Sequence, residues 1–377
     1  MSRRVMGCGP PGARIALVGE APGADEERLG EPFVGRAGRE LNSELAQAGV
    51  ARAGCYVTNV SKTRPPGNDF RRMYYDDAKG LVATEALLTA RRALVAELQA
   101  RNPRANVVVA LGEEALRALT GLRGITKWRG SIIATPAGKV VPTFHPAGIL
   151  RMWEHRQLAI VDFKKALAES VSPEANLPET EFTVDPSVDQ VLDYLTAVRP
   201  GASVSFDIET LGATVRCIGL STDGVSAICI PFVSCRRPAS AAGQSKTLVL
   251  LPVDVAFGSH WSPEDEQAIL TELARVLEDP EIFLIAQNFP FDASMLAREF
   301  GIVCTGLRLD TMVAQHCCYC ELPKSLAFLA SFYTRFPFWK DHDATNDLNE
   351  WTYNCMDAVV TFVLCGCLEN EMKEIGV

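Results

Sequence analysis

The sequence predicts two domains of different fold class, an α/β domain built on a parallel sheet and then an α+β domain. In the first half, short apolar runs alternate with helical patterns, whereas in the second half the strands come first and the helices last. The chain has 377 residues, of which 47% are apolar, so each half can bury a core. We expect domains at residues 1–170 and 187–377, joined by a linker at 171–186.

The first half contains four short apolar runs that are typical of buried strands. They lie at residues 14–19, 56–60, 107–111 and 140–144, and helix-like stretches at 38–48 and 81–100 fall between them. This alternation predicts a parallel sheet covered by helices, which binds ligands at the carboxyl ends of its strands. Polar motifs follow the runs at that edge: GEAPG, Asn59, Gly112 and His145.

The second half begins after VSPEANLPETEFTVDP, a segment rich in Pro, Glu and Thr that predicts the linker. A helix at 186–198 is followed closely by strand-like runs, which predicts antiparallel pairing. These runs lie at 203–209, 215–221, 227–232 and 247–253. Ser262 is expected to cap a helix, a further run lies at 282–286, and the pattern is helical from there to the end. The sequence therefore predicts an α+β domain around a mixed sheet.

The charge of the chain is unevenly distributed, although its net value of −9 is unusual for a DNA-binding protein. Residues 1–170 carry 25 Lys and Arg against 17 Asp and Glu, whereas residues 171–377 carry 12 against 29. A basic half suits contacts with phosphates, and an acidic half suits a carboxylate site for divalent cations. Charge alone does not separate these functions from two ordinary solvated surfaces.

The sequence shows no sign of a membrane or a secretory route. It contains no run of eighteen apolar residues, and its first residues, MSRRVMGCGPPG, lack an apolar signal segment. We therefore expect a cytoplasmic protein that does not bind a membrane. In that compartment the twelve cysteines are expected to be free thiols.

Four acidic residues of the second half stand in positions that favour metal chemistry. Asp207 and Glu209 are two apart on a strand and share one face, Asp292 begins a helix, and Asp357 follows Tyr353 by four positions on another. Hydrolysis of a phosphodiester requires charge neutralisation at the attacking and leaving oxygens, which two carboxylate-bound metal ions about 4 Å apart provide. A neighbouring phenol can orient the attacking water.

These residues lie in three ordered motifs, FDIET (206–210), NFPFD (288–292) and YNCMD (353–357), with Asp310-Thr311-Met312 and SLAFLASFY (325–333) between the last two. Over residues 190–377 the sequence resembles the DEDDy 3′→5′ exonucleases, in particular the proofreading domain of family A DNA polymerases. The resemblance implies a ribonuclease H-like fold. It also implies that two Mg²⁺ or Mn²⁺ ions are bound by Asp207, Glu209, Asp292 and Asp357, and that Tyr353 positions the nucleophilic water.

The first half contains GEAPGADEERLGEPFVGRAG (19–38), TNVSKTRPPGN (58–68), ITKWRG (125–130) and FHPAGILR (144–151). Over residues 12–170 it resembles the family 4 uracil-DNA glycosylases, a module that also occurs at the N-terminus of some phage DNA polymerases. A glycosylase must extract a base from the stack and read its edge. The resemblance implies that Asn59 reads the uracil edge, Phe33 stacks on the base and His145 hydrogen-bonds a uracil oxygen.

The same resemblance suggests further site residues. Glu20 and Glu26 match the acids that stabilise the sugar cation or position water. Gly19, Pro22 and Gly23 would form a tight loop that brings backbone near phosphate or base. Leu150 and Arg151 are hypothesised to probe the groove that the flipped base vacates.

The sequence differs from this family in the cysteines that would bind an iron–sulfur cluster. Its iron–sulfur members carry a C-x-x-C-type pair near the N-terminus and a cysteine in a KCRPPGN segment. Here Cys8 stands alone, and the segment reads Lys62-Thr63-Arg64. We therefore expect no iron–sulfur cluster.

Three functions remain open at this point, in a bacterial or phage-infected cell. The first is a bifunctional DNA repair enzyme, and the second is a proofreading subunit whose partner is a separate DNA polymerase, with the first half only binding DNA or sensing uracil. The third is a non-catalytic binding protein, which is disfavoured because four clustered acids without cations would repel one another. The sequence ends twenty residues after Asp357, so we expect no polymerase activity of its own.

Overall fold

A computed structural model describes residues 3–75, 82–101, 104–236, 256–340 and 346–377. The chain divides into two compact units. The first domain comprises Met1–Leu177 with Arg335–Phe338, and the second domain comprises Pro178–Thr334 with Trp339–Val377. All cysteines whose side chains are described are free thiols.

The first domain contains a five-stranded sheet in the order β2-β1-β3-β5-β4. Its strands are β1 (Ile15–Gly19), β2 (Cys55–Asn59), β3 (Val107–Leu111), β4 (Ile133–Thr135) and β5 (Gly138–Thr143). The four strands predicted from the apolar runs pair in parallel, as expected. β1, β2 and β3 are buried along their whole length, because helices cover both faces of a parallel sheet.

The helices of the first domain are α1 (Ala24–Leu29), α2 (Arg36–Gln47), α3 (Phe70–Tyr74), α4 (Glu85–Gln99), α5 (Glu113–Thr120), α6 (Ile125–Trp128), α7 (Pro146–Ile149) and α8 (Arg156–Glu169). α2 and α4 correspond to the two predicted helices, although residues 76–81 lie outside the described residues. β4 was not predicted. It has three residues, too few to show a period of two, and it pairs antiparallel with β5 at the sheet edge.

The second domain contains a six-stranded mixed sheet in the order β13-β12-β7-β8-β9-β6 and a separate pair, β10 with β11. Its strands are β6 (Glu181–Thr183), β7 (Ser203–Leu211), β8 (Thr214–Ser221), β9 (Ser226–Pro231), β10 (Val233–Arg236), β11 (Ala256–Ser259), β12 (Phe283–Ala286) and β13 (Leu307–Asp310). The strands β7, β8 and β9 are antiparallel, whereas β6, β12 and β13 pair in parallel with their neighbours. This arrangement confirms the predicted α+β class.

The helices of the second domain are α9 (Val188–Ala197), α10 (Pro263–Leu277), α11 (Phe289–Phe300), α12 (Thr311–Cys318), α13 (Leu326–Tyr333) and α14 (Asp347–Ile375). Four short strands, β6, β10, β11 and β13, were not predicted from the sequence. β6 lies within the segment predicted as a linker, and β13 lies in the region predicted as helical. Both are short edge strands with exposed residues, so no apolar alternation marks them. The strand predicted at 247–253 lies outside the described residues.

α14 is the one described helix that is long and apolar enough to cross a membrane. However, 61% of its most apolar eighteen-residue window is buried inside the protein, where it packs on β7, β8 and β9. A core helix of a soluble domain passes the same test, so α14 gives no support for a membrane span.

A buried ion pair fixes the end of β5, next to His145. Arg129 and Asp162 are 2% and 0% exposed, and Arg129 Nε donates to Asp162 Oδ2 at 3.0 Å. The same oxygen accepts from the hydroxyl of Thr143, the last residue of β5, at 2.7 Å. The pair therefore ties the carboxyl end of β5 to α8.

We predict that Asp162→Ala lowers the free energy of unfolding by about 3–5 kcal/mol, because the buried charge of Arg129 would lose the carboxylate that neutralises it. Urea denaturation of the full chain measures the loss. Glu85→Ala, which removes the exposed pair between Arg92 and Glu85, is the matched control and should cost less than about 1 kcal/mol. Similar losses for the two variants would contradict the assignment.

Candidate functional sites

A cavity of about 490 Å³ lies at the strand-end edge of the first-domain sheet. It gathers nine of the ten residues that the glycosylase resemblance suggested: Glu20, Pro22, Gly23, Glu26, Phe33, Asn59, His145, Leu150 and Arg151. The tenth, Gly19, does not line the cavity. A Cβ at Gly19 would lie 2.4 Å from both Asn59 Oδ1 and Phe33 Cζ, so glycine is required for their approach.

Asn59 presents an unsatisfied acceptor in this cavity. The residue is 2% exposed, and its Oδ1 has no hydrogen-bond partner among the residues that the structure describes. A buried acceptor left unpaired costs about 1–3 kcal/mol. A ligand N–H would recover that cost, so the amide suits recognition of a polar base edge.

The ring of Phe33 is held by a strained loop. Phe33 has a φ of 55°, which is uncommon for a non-glycine residue. The Glu26 carboxylate stabilises this loop because it accepts hydrogen bonds from the backbone N–H groups of Gly23, Val34 and Gly35 at 2.7–3.0 Å. Glu26 is therefore engaged with the backbone and holds the loop in place.

His145 is a neutral hydrogen-bond donor in this arrangement. Its Nδ1 accepts from the backbone N–H of Ala147 at 3.1 Å, which puts the ring proton on Nε2. Burial, and then the positive charge of Arg151, lowers the pKa of His145 to about 4. The ring therefore stays uncharged at neutral pH and offers one N–H.

Glu20 titrates near neutrality. Burial, and then the negative charge of Glu114, raises the pKa of Glu20 to about 7. The sequence analysis did not single out Glu114, which accepts a hydrogen bond from the Tyr75 hydroxyl at 2.5 Å and lies 3.8 Å from Arg91. Its only signal was its position two residues after Gly112, which follows a strand end.

The donor set of the first domain does not fit an iron–sulfur cluster. Such clusters are held by four cysteine thiolates, whereas residues 1–216 contain only Cys8 and Cys55. In the Lys62-Thr63-Arg64 segment, the Thr63 backbone N–H donates to Ser61 Oγ at 3.1 Å. The neighbouring Lys62 forms an ion pair with Glu97 at 2.7 Å, so polar contacts hold this segment.

The carboxylates of the second domain meet where α14 crosses the sheet. Asp207 on β7 pairs with Gly219 on β8, and a Cβ at Gly219 would lie 2.7 Å from the backbone oxygen of Asn354. This close approach lets Asn354 Nδ2 donate to Asp207 Oδ2 at 2.9 Å. One oxygen each from Asp207, Glu209 and Asp357 then lies within 4.8 Å of the others.

Asp292 reaches the same region from α11. It is 3% exposed, it accepts a hydrogen bond from the backbone of Ile208, and its Oδ2 has no hydrogen-bond partner in the described parts of the chain. Asp310 orients the start of α11, since its two oxygens accept from the backbone N–H groups of Asn288 at 3.1 Å and Phe289 at 2.9 Å. The four carboxylates predicted from the motifs therefore belong to one neighbourhood.

Burial and mutual repulsion make this neighbourhood receptive to cations. Burial, and then neighbouring carboxylates, raises the pKa of Glu209 to about 8 and raises the pKa values of Asp207 and Asp292 well above the ordinary range. Burial also raises the pKa of Asp357. Bound cations favour the ionised forms. Hard carboxylate oxygens, one of them unsatisfied, fit Mg²⁺ or Mn²⁺.

Two residues that sequence reasoning missed also contact this site. Lys340 Nζ lies 2.5 Å from the Tyr353 hydroxyl and forms an ion pair with Asp357, and Trp339 Nε1 donates to Asp357 Oδ1 at 2.6 Å. Both lie outside regular secondary structure, so no periodic pattern marked them. Burial raises the pKa of Tyr353, which keeps the phenol protonated.

Comparison with known proteins finds a matching family model in each half of the chain. Residues 6–169 match the family model of the uracil DNA glycosylase superfamily, and residues 245–373 match that of 3′-5′ exonuclease. The type-4 uracil-DNA glycosylase of Thermotoga maritima is 39% identical over 167 residues, which cover 43% of this chain and 80% of that relative. A DNA polymerase of Bacillus phage SP01 is 26% identical over 213 residues, 54% of this chain and 22% of the polymerase.

The solved structure of Brucella melitensis NrnC aligns with a TM-score of 0.36 at 18% identity, covering 52% of this chain and 84% of that one. The exonuclease match includes Asp292, Tyr353 and Asp357 but begins after Asp207 and Glu209, which the sheet of the second domain brings to Asp357. The chain thus belongs to the type-4 uracil-DNA glycosylase family through its first domain, to which a 3′-5′ exonuclease domain is fused.

Proposed function

We propose that the second domain removes nucleotides from the 3′ end of DNA by two-metal hydrolysis. The observation that carries this proposal is the convergence of the Asp207, Glu209 and Asp357 oxygens within 4.8 Å of one another, with Asp292 beside them. These four carboxylates would hold Mg²⁺ or Mn²⁺, which supplies charge neutralisation at the scissile phosphate. The protonated phenol of Tyr353 would orient the attacking water.

We further infer that the first domain excises uracil from DNA. The unsatisfied Asn59 Oδ1 would accept from uracil N3–H while the amide N–H group donates to O4, and Phe33 would stack on the ring. Cleavage of the glycosidic bond leaves negative charge on the base, and the neutral His145 would stabilise it by donating from Nε2.

The two acids of the cavity are assigned different tasks. Glu20, whose pKa lies near 7, would position the attacking water or stabilise the cationic sugar in its ionised form. Glu26 accepts three backbone hydrogen bonds, so we assign it to holding the loop that carries Phe33. This division follows from the three backbone contacts of Glu26 and from the raised pKa of Glu20.

We assign the residues at the rim of the cavity to contacts with DNA. Leu150 and Arg151 border the cavity, and Arg151 is exposed there, which suits contact with the backbone or with the gap left by a flipped base. The loop that contains Gly19, Pro22 and Gly23 would bring the protein backbone close to the same strand of the DNA. We propose that the domain acts without an iron–sulfur cluster, because its two cysteines cannot supply four thiolates.

A second candidate function is proofreading beside a separate DNA polymerase. The similarity to the phage polymerase spans 213 residues, more than the first domain alone, and this observation favours a replication setting. In that case the first domain would bind DNA or sense uracil ahead of synthesis. Either role is expected in the cytoplasm of a bacterial or phage-infected cell.

Asp207→Ala is expected to reduce exonuclease activity at least about a thousandfold, since one metal ligand is worth several kcal/mol in the transition state. A single strand labelled at its 5′ end, incubated with Mg²⁺, reports the ladder of products. Asp193→Ala on α9 is exposed and serves as the matched control that retains activity. A ladder that persists in Asp207→Ala would refute the assignment.

Asn59→Ala is expected to slow uracil excision at least about tenfold to a hundredfold, because hydrogen bonds to the base edge are lost. Alkali-labile sites in a uracil-containing duplex measure excision, with EDTA present to silence the metal-dependent exonuclease. Asn42→Ala, an exposed amide on α2, is the control. If wild-type protein yields no alkali-labile site while its exonuclease ladder is normal, the proofreading role is favoured instead.

The pH dependence of uracil excision is expected to follow Glu20. Because its pKa is raised to about 7, the carboxyl is protonated below that pH, and the rate should rise as the pH increases through about 7. Because the pKa of His145 is lowered to about 4, its protonation does not change the rate of uracil excision near neutral pH. Single-turnover rates from about pH 5 to about pH 9 test this. Glu20→Gln should be slow and independent of pH, and an unchanged profile in that variant would contradict the role.

A further inference from the structure

Lys340 places a positive charge at the exonuclease carboxylates. Its Nζ forms an ion pair with Asp357 Oδ2, lies 2.5 Å from the Tyr353 hydroxyl and lies 4.2 Å from the centroid of the Tyr353 ring. The side chains of Lys340 and Asp357 are 21% and 4% exposed, so water screens this pair weakly.

We propose that Lys340 is an internal counter-ion that competes with a divalent cation for Asp357 and thereby sets the metal affinity of the exonuclease site. This inference rests on the proposed exonuclease function and assigns Lys340 as a positioning residue for it. The cation concerned is of the hard, oxygen-seeking class to which Mg²⁺ and Mn²⁺ belong.

The competition follows from the contacts of Asp357. Its Oδ1 accepts the hydrogen bond of Trp339 Nε1, and its Oδ2 accepts that of Lys340. A metal ion bound to Oδ2 would bring a second positive charge to the atom that the ammonium already contacts. The two cations would repel each other at that distance, so binding of the metal must move the ammonium away.

Lys340 acts on the metal site through the negative charge of the carboxylates around it. Its positive charge lowers the pKa values of Asp207, Glu209 and Asp357, all of which burial raises. For Asp207 and Glu209 it also opposes the effect of the neighbouring carboxylates, which raise their pKa values further. Arg216, which also lowers the pKa of Glu209, is itself committed to Asp347 at 2.8 Å and Glu350 at 3.4 Å. Lys340 therefore offsets part of the repulsion that a divalent cation would offset more fully.

The same ammonium links the metal ligand to the water-orienting residue. Because Lys340 contacts both the Asp357 carboxylate and the Tyr353 hydroxyl, movement of its Nζ away from Asp357 also changes the hydrogen bonding of the phenol. Its four-carbon stem allows such a movement without a change in the backbone. Metal binding and the orientation of Tyr353 are thereby coupled through one side chain.

The test is Mn²⁺ binding to the full chain without DNA, measured by isothermal titration calorimetry. Lys340→Met should bind Mn²⁺ at least about tenfold more tightly than the wild type, which corresponds to about 1.4 kcal/mol. Lys340→Arg keeps the charge and should remain near the wild-type affinity. Equal or weaker binding by Lys340→Met would overturn the proposal.

Mn²⁺ binding by the Asp357→Asn variant distinguishes failure of the proposed role of Lys340 from failure of the proposed metal site. Loss of Mn²⁺ binding in Asp357→Asn, together with unchanged affinity in Lys340→Met, would overturn the role of Lys340 and leave the metal site standing. Equal Mn²⁺ binding by Asp357→Asn and the wild type would overturn both.

Thermal unfolding gives a second readout that a merely structural lysine would not produce. In EDTA, Lys340→Met should melt below the wild type, because the carboxylates have lost their counter-ion, and Mn²⁺ should restore its melting temperature to the wild-type value. A decrease of the same size in EDTA and in Mn²⁺ would indicate a packing role and overturn the proposal.

Discussion

The repulsion between buried carboxylates is the constraint on which the second domain depends. Asp207, Glu209, Asp292 and Asp357 come from β7, α11 and α14, and burial raises the pKa of each. The negative charge of neighbouring carboxylates raises the pKa values of Asp207, Glu209 and Asp292 further. A fold that holds them together must compensate with fixed geometry and with cations. The repulsion between these carboxylates therefore affects both the stability of the second domain and its binding of cations.

The surrounding structure supplies that geometry. The contact between Gly219 and Asn354 sets the distance between α14 and the sheet, and the ion pairs of Arg216 with Asp347 and Glu350 fix the start of that helix. Asp310 holds the start of α11 in the same way. These residues are not candidates for chemistry, yet each determines where a carboxylate lies.

In the first domain, hydrogen bonds and close packing position the functional groups of the cavity. Its cavity combines an unsatisfied amide, a neutral imidazole and a carboxyl that titrates near neutrality, all at the ends of parallel strands. The close approach of Asn59 and Phe33 over Gly19, and the three backbone hydrogen bonds of Glu26, hold these groups in place.

Much of this organisation was predictable from the sequence, because the first-domain strands β1, β2 and β3 are short buried runs and the polar motifs follow at or after their ends. The spacing of Asp207 and Glu209, or of Tyr353 and Asp357, indicates a shared face through the periods of strand and helix alone. Lys340, Trp339 and Glu114 could not be predicted in this way. Their contacts depend on tertiary packing between segments distant in the chain, and β6 and β13 are too short to show a period.

The location of bound manganese tests the central claim most directly. Crystals of the full chain grown with Mn²⁺ would be examined by anomalous scattering at the manganese absorption edge. The account predicts two peaks about 4 Å apart, ligated by oxygens of Asp207, Glu209, Asp292 and Asp357. Manganese ligated elsewhere in the chain, with these carboxylates free of metal, would contradict it.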